Sequence, residues 1–348
     1  MPSRPKLIAD AVRAWATTAV AEHATDFTAT LAHHFGVSRV AAAGAVRQLE
    51  AEAFVQRQRS GTRPRFVAGA SRLVEAAVAL PGVDESLLWA QQLRPWLGEL
   101  PPAVDNLLHY GFTEVVNNAN DHSAGQHLRL RCAATPEAVH LWIQDDGIGV
   151  FERLRAALGL PDVRLALLEL SKGKLTTDPA RHSGEGLFFS SRAMDLFTLR
   201  ANGLVWRRER LAGGASAVER LDDDRDAGVA GTFAFLSLRR NARHTLRQVF
   251  DAYTTGAPDD LRFDRTVVPA KLAVLAGENL LSRSQARRLA SRLAGFRVVD
   301  VDFEGITEIG QAFADELFRV FRQQMPAIQL QAVNASPAVS AMIRRITG

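Results

Sequence analysis

Residues 112–123, FTEVVNNANDHS, constrain this chain more than any other segment. The run is compatible with a helix and sets Glu114 and Asn118 four residues apart. Residues i and i+4 of a helix share one face, so a carboxylate and an amide would project into the same space. Downstream, QDDGIGV at 144–150 places Asp145 ahead of Gly147 and Gly149. HSGEGLFF at 182–189 then places Gly184 and Gly186 before a helix-compatible stretch, LFFSSRAMDLF. Glycine-rich turns that feed a helix N-terminus offer unpaired backbone amides to phosphate. Each glycine pair alone is an ordinary turn signal. Three such segments in this order, with helix, strand-end and turn contexts agreeing, are a combination that chance rarely produces.

The order resembles the N, G1 and G2 boxes of the GHKL ATP-binding fold. That fold is shared by gyrase-type ATPases, heat-shock chaperones, histidine kinases and anti-sigma factor kinases. The resemblance implies ATP and Mg²⁺ as cofactors. It implies that Asn118 supplies an oxygen ligand to the metal and that Glu114, one turn earlier, is the catalytic base. Asp145 would accept a hydrogen bond from the adenine amino group, with Gly147 and Gly149 letting the backbone approach the ring. The Glu-x-x-x-Asn spacing is closer to anti-sigma kinases than to the usual histidine-kinase box. Lys172, Lys174 and Arg181 fall in the interval that holds the family's mobile lid, and are expected to reach the phosphates. GTFAFLSL at 231–238 resembles the Gly-Thr element that closes the pocket, with Thr232 as its contact. The third glycine of the kinase pattern is replaced by Phe188. No helical dimerisation segment with a phosphoacceptor histidine precedes these boxes, so a standard histidine kinase is not expected.

Residues 1–70 have the apolar spacing of helices, then a basic hairpin. The helix pair of FTATLAHHFGVSRVAAAGAVRQLEAEAFV has Gly36 at its turn. Its second helix is expected from Ser38, a good N-cap, to Ala53. FVQRQRSGTRPRFVA reads as strand, turn and strand. This region resembles winged helix-turn-helix domains, which implies DNA binding. Arg39, Arg47 and Gln48 are then the base readers, and Arg57, Arg59, Arg63 and Arg65 the wing cations. A small helical oligomerisation module is the plainer alternative.

Residues 71–83 read as a connector and 84–241 as the ATP-binding domain. Within the latter, ERLDDDRDAG is expected to be a solvated hairpin tip. From 242 to 348, strands alternate with helices, as in an α/β layer. The run VVDVDFEGITEIGQAFADELFR resembles STAS domains, closest to an uncharacterised STAS-like family. In ordinary STAS antagonists a phosphoacceptor serine follows the central strand. Here Gly310 and Gln311 occupy that position, leaving Thr307, Ser282 and Ser284 as hydroxyls to consider.

The expected architecture is therefore an α/β multidomain chain: winged helix-turn-helix, GHKL sandwich, STAS-like domain. The 348 residues are 47% hydrophobic and 23% charged, with a formal charge of +4, which is ordinary for a soluble globular protein. The single cysteine, Cys132, excludes an intrachain disulfide framework. No apolar run is long enough to span a membrane, and a cytoplasmic location is expected. The leading functional expectation is an ATP-responsive, DNA-binding transcriptional regulator. The alternative is an anti-sigma-like serine/threonine kinase or slow ATPase in a partner-switching pathway. A protein partner acting through the last domain and a homodimer are both open.

Overall fold

The computed structural model describes residues 9–60, 63–174, 185–211, 217–223, 230–256, 262–274 and 279–348. Within it the chain is an α/β protein with two hydrophobic cores. The first core runs from Ala16 to Leu73. It belongs to α1 (Asp10–Glu22), α2 (Phe27–His34), α3 (Arg39–Ala51) and an antiparallel hairpin, β1 (Val55–Ser60) and β2 (Arg63–Ala68). Ser38 caps α3, its hydroxyl accepting from the Ala41 amide at 3.2 Å. Ala42, Val46 and Leu49 turn inward to join Phe27 and Leu31. The helix stops at Ala51 rather than 53, as the chain enters a turn with Ala53 at φ +58°.

Residues 71–83 are not a connector. Arg72–Ala79 form β3, an edge strand paired with β4 (His127–Ala134). Alanine-rich RLVEAAVA carries little strand propensity by itself, and the pairing supplies what the side chains do not. β3 also ties the first unit to the second: the Leu73 amide donates to Thr17 Oγ1 at 2.9 Å. Beside it, Arg131 on β4 donates to Asp10 at 2.6 Å.

The central sheet continues with β5 (Ala138–Asp145), β6 (Leu196–Ala201), β7 (Leu204–Arg210), β8 (Ala217–Asp223) and β9 (Phe233–Arg239). The strand order is β3-β4-β5-β9-β6-β7-β8, and every neighbouring pair is antiparallel. β9 returns late in the chain to lie between β5 and β6, which brings residue 232 to the end of β5. The helices of this unit are α4 (Glu85–Leu88), continuing as a wider π-helical turn to Leu93 and a tighter 3₁₀ turn to Trp96, α5 (Pro102–His122), α6 (Val150–Leu158), α7 (Arg164–Lys172) and α8 (Gly186–Ala193). α5 and α8 pack on each other and on the sheet. The expected helix LFFSSRAMDLF ends early, at Ala193, because Leu196 already pairs in β6. ERLDD is not a solvated tip but the body of β8. Glu219 there is largely buried, 3.4 Å from the Arg208 guanidinium and 3.7 Å from that of Arg192.

The remaining elements are α9 (Leu246–Asp251), β10 (Arg265–Pro269), α10 (Arg283–Ala290), β11 (Val298–Asp302), α11 (Gln311–Ala314), α12 (Arg322–Gln324), β12 (Gln329–Val333) and α13 (Pro337–Thr347). A π-helical turn joins α11 to α12. The three strands form a parallel sheet in the order β10-β11-β12. Phe313, Leu317 and Phe318 are buried, as the apolar helix face requires. Among the described residues no helix is long and apolar enough to cross a membrane.

One core runs unbroken from Leu80 to Val339, so packing does not break near residue 242. α7 explains why. All eight residues from Leu165 to Lys172 are buried, a helix covered on every side. α6 and α8 cover part of it, and β10 with the short helical turn Ala270–Ala273 covers the rest. The Thr266 hydroxyl donates to the Lys172 carbonyl at 2.8 Å. Lys172 itself is 1% exposed and makes a 2.8 Å ion pair with Glu169, which is 3% exposed. Breaking one partner of a buried pair leaves an uncompensated charge. Glu169→Ala should therefore lower stability by about 3–5 kcal/mol. Replacing both residues by apolar ones of similar size should recover most of that loss. Urea unfolding of the two variants checks both expectations.

Candidate functional site

The last three turns of α5 are where the separated sequence segments meet. At its C-terminal end, the Ser123 carbonyl accepts from the Ile148 amide at 2.9 Å. A Cβ on Gly147 would lie 2.1 Å from that same carbonyl oxygen, so only glycine lets the 145–149 turn come this close. Asp145, 5% exposed, ends β5 and holds the turn from inside. Its Oδ1 accepts from the Gly147 amide at 2.9 Å and from the Thr232 amide at 3.2 Å. The Asp145 amide in turn donates to the Thr232 carbonyl at 3.0 Å. Burial pushes the Asp145 pKa up, and the Gly147 and Thr232 bonds oppose that shift. The Thr232 hydroxyl accepts from the Val150 amide at 3.0 Å, so Thr232 also anchors the start of α6.

Two further residues complete this corner. Gly149, with φ +84°, would push a Cβ against the Asn202 side chain at 2.4 Å. Asn202 bridges the corner, donating to the Ile148 carbonyl at 2.9 Å and accepting from the Glu152 amide at 3.0 Å. Gly231, with φ +83°, leaves 2.1 Å between an added Cβ and the Asp145 carbonyl. Gly231 is the glycine of the Gly-Thr element, whereas no motif flags Ser123 or Asn202 as a site residue. Asn202-Gly203 is a strong hairpin signal, and it is the hairpin turn that carries Asn202 here.

Farther back along α5, Glu114 meets the start of α8. A Cβ on Gly186 would fall 2.0 Å from Glu114 Oε2, so the helix N-terminus sits directly against the carboxylate. One turn on, the Asn118 Nδ2 donates to the Glu114 carbonyl at 2.6 Å. That bond uses a donor of the amide and leaves the acceptor capacity of its oxygen for another group. Glu114 and Ser123 are nine residues apart on one helix, about 13 Å along the axis. Glu114, Asn118, Asp145, Gly147, Gly149, Gly186 and Thr232 thus lie along one stretch of α5 and its neighbours. Gly184, Arg181 and His182 lie outside the described residues.

The two lysines do not join this group. An ammonium has three donors, and those of Lys172 go to Glu169, to Ser291 and to the Arg288 carbonyl. Lys174 donates to the Gly295 carbonyl at 2.8 Å and stands 4.9 Å from the Phe296 ring centroid. Both are held by the C-terminal segment instead of facing the Asp145 corner. Phe188 turns away from the Gly186 backbone into an aromatic cluster with Tyr253 and Phe263. Arg192, also on α8, lies 3.4 Å over the Phe188 ring centroid and donates to the Tyr253 hydroxyl at 3.0 Å.

On the first unit, Arg39, Arg47 and Arg65 are exposed. Gln48 is not a free reader: its amide donates to Glu52 at 3.0 Å. Arg57 is tied to Glu50 at 3.0 Å and lies over Phe66, at the base of the hairpin. Arg59 and Arg63 fall within β1 and β2, with their side chains outside the description. Among the described residues no three His, Cys, Asp or Glu side chains group as a metal site.

Residues 285–340 match the model of a family described as a STAS-like domain of unknown function (DUF4325). The match covers β11, β12 and the helices between and beside them. No curated protein matches the chain.

The glycine positions give a direct test of the corner. Gly147→Ala drives a methyl into backbone, so the turn must shift, and stability should fall by about 1–3 kcal/mol. Gly186→Ala meets only the end of a flexible side chain, so stability should change by less than about 1 kcal/mol while Glu114 is displaced. Denaturant unfolding of the two variants separates these outcomes.

Proposed function

We propose that the protein is an ATP-responsive DNA-binding regulator, with Mg-ATP held along α5 and the first unit contacting DNA. The nucleotide part of the reading rests on one observation. The Asp145 corner, the Glu114–Asn118 pair and the N-terminus of α8 converge on the last three turns of a single helix. That stretch is comparable in length with an extended nucleoside triphosphate. Adenine would sit at Asp145, its amino group donating to the carboxylate. The phosphates would lie toward Gly186, where helix amides favour anions. Mg²⁺ would take Asn118 as its protein ligand and complete its shell with phosphate oxygens and water.

The residues present fit such a group, because the Gly147, Gly149 and Gly231 positions keep the backbone close and the corner narrow. The carboxylate at the start of α8 favours a second reading, in which Glu114 takes a proton from water or from an acceptor hydroxyl. That gives a slow ATPase or an anti-sigma-like serine/threonine kinase. A hydroxyl at 310 is disfavoured, since a Cβ there would lie 2.8 Å from the Leu281 backbone. The STAS-like part is accordingly read as a docking module for a protein partner.

Asp145→Asn puts an amide where the adenine amino group needs an acceptor. ATP affinity should fall at least about tenfold, on the order of 1.4 kcal/mol. Titration calorimetry showing unchanged affinity would remove the nucleotide assignment. Glu114→Ala should keep ATP binding and abolish any turnover or phosphate transfer, as read by release of labelled phosphate or label on protein. Native-rate turnover in that variant would place the base elsewhere.

For DNA, the carrying observation is a three-helix unit with a hairpin, in which Arg39 and Arg47 on α3 and Arg65 on β2 are exposed and lack acidic partners among the described residues. Replacing Arg47 and Arg65 by alanine should weaken duplex binding and shrink the salt slope of log affinity by nearly two, if both contact phosphate. A native protein without affinity for any duplex at low salt, with or without Mg-ATP, would end this part of the reading.

A further inference from the structure

We propose that the exposed start of α3 reads thymine methyl groups in the major groove, with Val40 as the residue that sets specificity. The proposal rests on the DNA-binding reading above and adds the chemistry of the site it selects.

α3 turns Ala42, Val46 and Leu49 into the core. Its opposite face carries residues 40, 44 and 47. Val40 is 81% exposed, and Val37, just before the helix, is 40% exposed. Ala41 between them and Arg47 is exposed as well. The first residues of a helix laid in the major groove are the ones that reach base edges. Gly44 keeps the face flat, since a Cβ there would meet only the Arg47 guanidinium, at 3.8 Å. The backbone can therefore come close to a groove floor.

Charge selects the occupant. Arg39 and Arg47 flank the apolar end, and Arg65 projects from the hairpin. The nearby acids are taken: Glu50 pairs with Arg57, and Glu52 with Arg13. No acid among the described residues pairs with Arg39, Arg47 or Arg65. An apolar protein surface laid here would leave three guanidinium groups without partners. A polyanion would satisfy them.

The side-chain inventory then selects the base. Adenine is read in the major groove by the paired donor and acceptor of Asn or Gln. Gln48, the glutamine of α3, is turned to Glu52. The exposed face has no other amide, so an A·T pair must be recognised from its thymine side. Thymine alone among the four bases presents a methyl group there, and an apolar side chain is its partner. Val40 and Val37 supply that contact, while Arg39 and Arg47 are suited to phosphate or guanine.

The test uses the full-length protein, with and without Mg-ATP. Duplexes are first selected from a randomised pool at low salt. In the tightest duplex, each thymine is then replaced singly by deoxyuridine, which removes only the methyl group. We expect one or two positions at which this weakens binding about three- to fivefold. Val40→Ala, at an exposed position that folding does not use, should bind the thymine and uracil duplexes alike and retain sequence-independent affinity. Equal affinity for thymine and uracil at every position overturns the proposal, as does a pool that enriches no sequence. Discrimination that survives Val40→Ala also overturns it. If no duplex binds at low salt and Val40→Asp instead changes the oligomeric mass, the face is a protein contact. The DNA reading then falls together with this one.

Discussion

The Asp145 carboxylate is the joint on which the candidate site depends. It is an acid taken out of water, which by itself favours the neutral form. Two backbone amides, from Gly147 and Thr232, converge on one of its oxygens and counter that cost. The bonds join the end of β5 and the turn that directly follows it to the approach to β9, 87 residues on. Because β9 lies between β5 and β6, the same tie extends through the sheet to the Asn202 turn. Gly147 and Gly231 are then obligatory for a steric reason. Their Cβ positions are already filled by the Ser123 and Asp145 carbonyls. The corner is thus rigid on two sides, and what it leaves for a ligand is the edge facing along α5.

α8 connects that edge to the C-terminal segment. Its first residue touches Glu114, and its third and seventh, Phe188 and Arg192, are held by Tyr253 and Phe263. The helix has eight residues, about 12 Å, and behaves as one body over that length. A displacement of Tyr253 or Phe263 therefore reaches Gly186 without passing through a loop. α7 makes a second connection through Lys172, whose ion pair with Glu169 is sealed by Ser291 and Arg288. The pair itself lies within α7 and moves with the helix, but a shifted helix would lose the Lys172 bonds to Ser291 and to the Arg288 carbonyl and leave a buried ammonium short of acceptors. Packing supplies a path between the Glu114 end of the candidate site and the C-terminal segment. Signalling along it requires that the path have two arrangements, which ligands at either end bias.

Much of this was legible in the sequence where chemistry and spacing coincide. The four-residue step from Glu114 to Asn118 and the glycines after Asp145 point to residues that the fold brings to one stretch of α5. The failures have identifiable causes. β3 is hard to read because alanines carry no strand signal and its partner β4 is distant in sequence. Glu219 stands in a run of charges that reads as solvated, although its partner across the sheet is Arg208. Lys172 and Lys174 point to phosphate only through their place in the lid interval of the resemblance. A contrary signal was present in RLALLELSK, an almost continuous apolar helix with an acid three residues before the lysine. That pattern describes a covered helix with an internal ion pair.

The C-terminal segment shows how a family resemblance and local sterics have to be read together. A STAS-type acceptor needs a hydroxyl at the start of the helix that follows the central strand. Gly310 caps that helix here, and its amide donates to the Leu280 carbonyl at 2.8 Å. Leu281 lies across the position, so a side chain at 310 would have to displace backbone. Ser282 is engaged as the N-cap of α10 in a reciprocal pair with Gln285, which fixes its hydroxyl as a structural acceptor. Ser284 and Thr307 are exposed, but neither stands at the helix start. What this region keeps is the strand–turn–helix shape without the acceptor chemistry. Its tie to α7 and α8 runs through Lys172, Tyr253 and Phe263, so this strand–turn–helix is packed onto the same helix that meets Glu114.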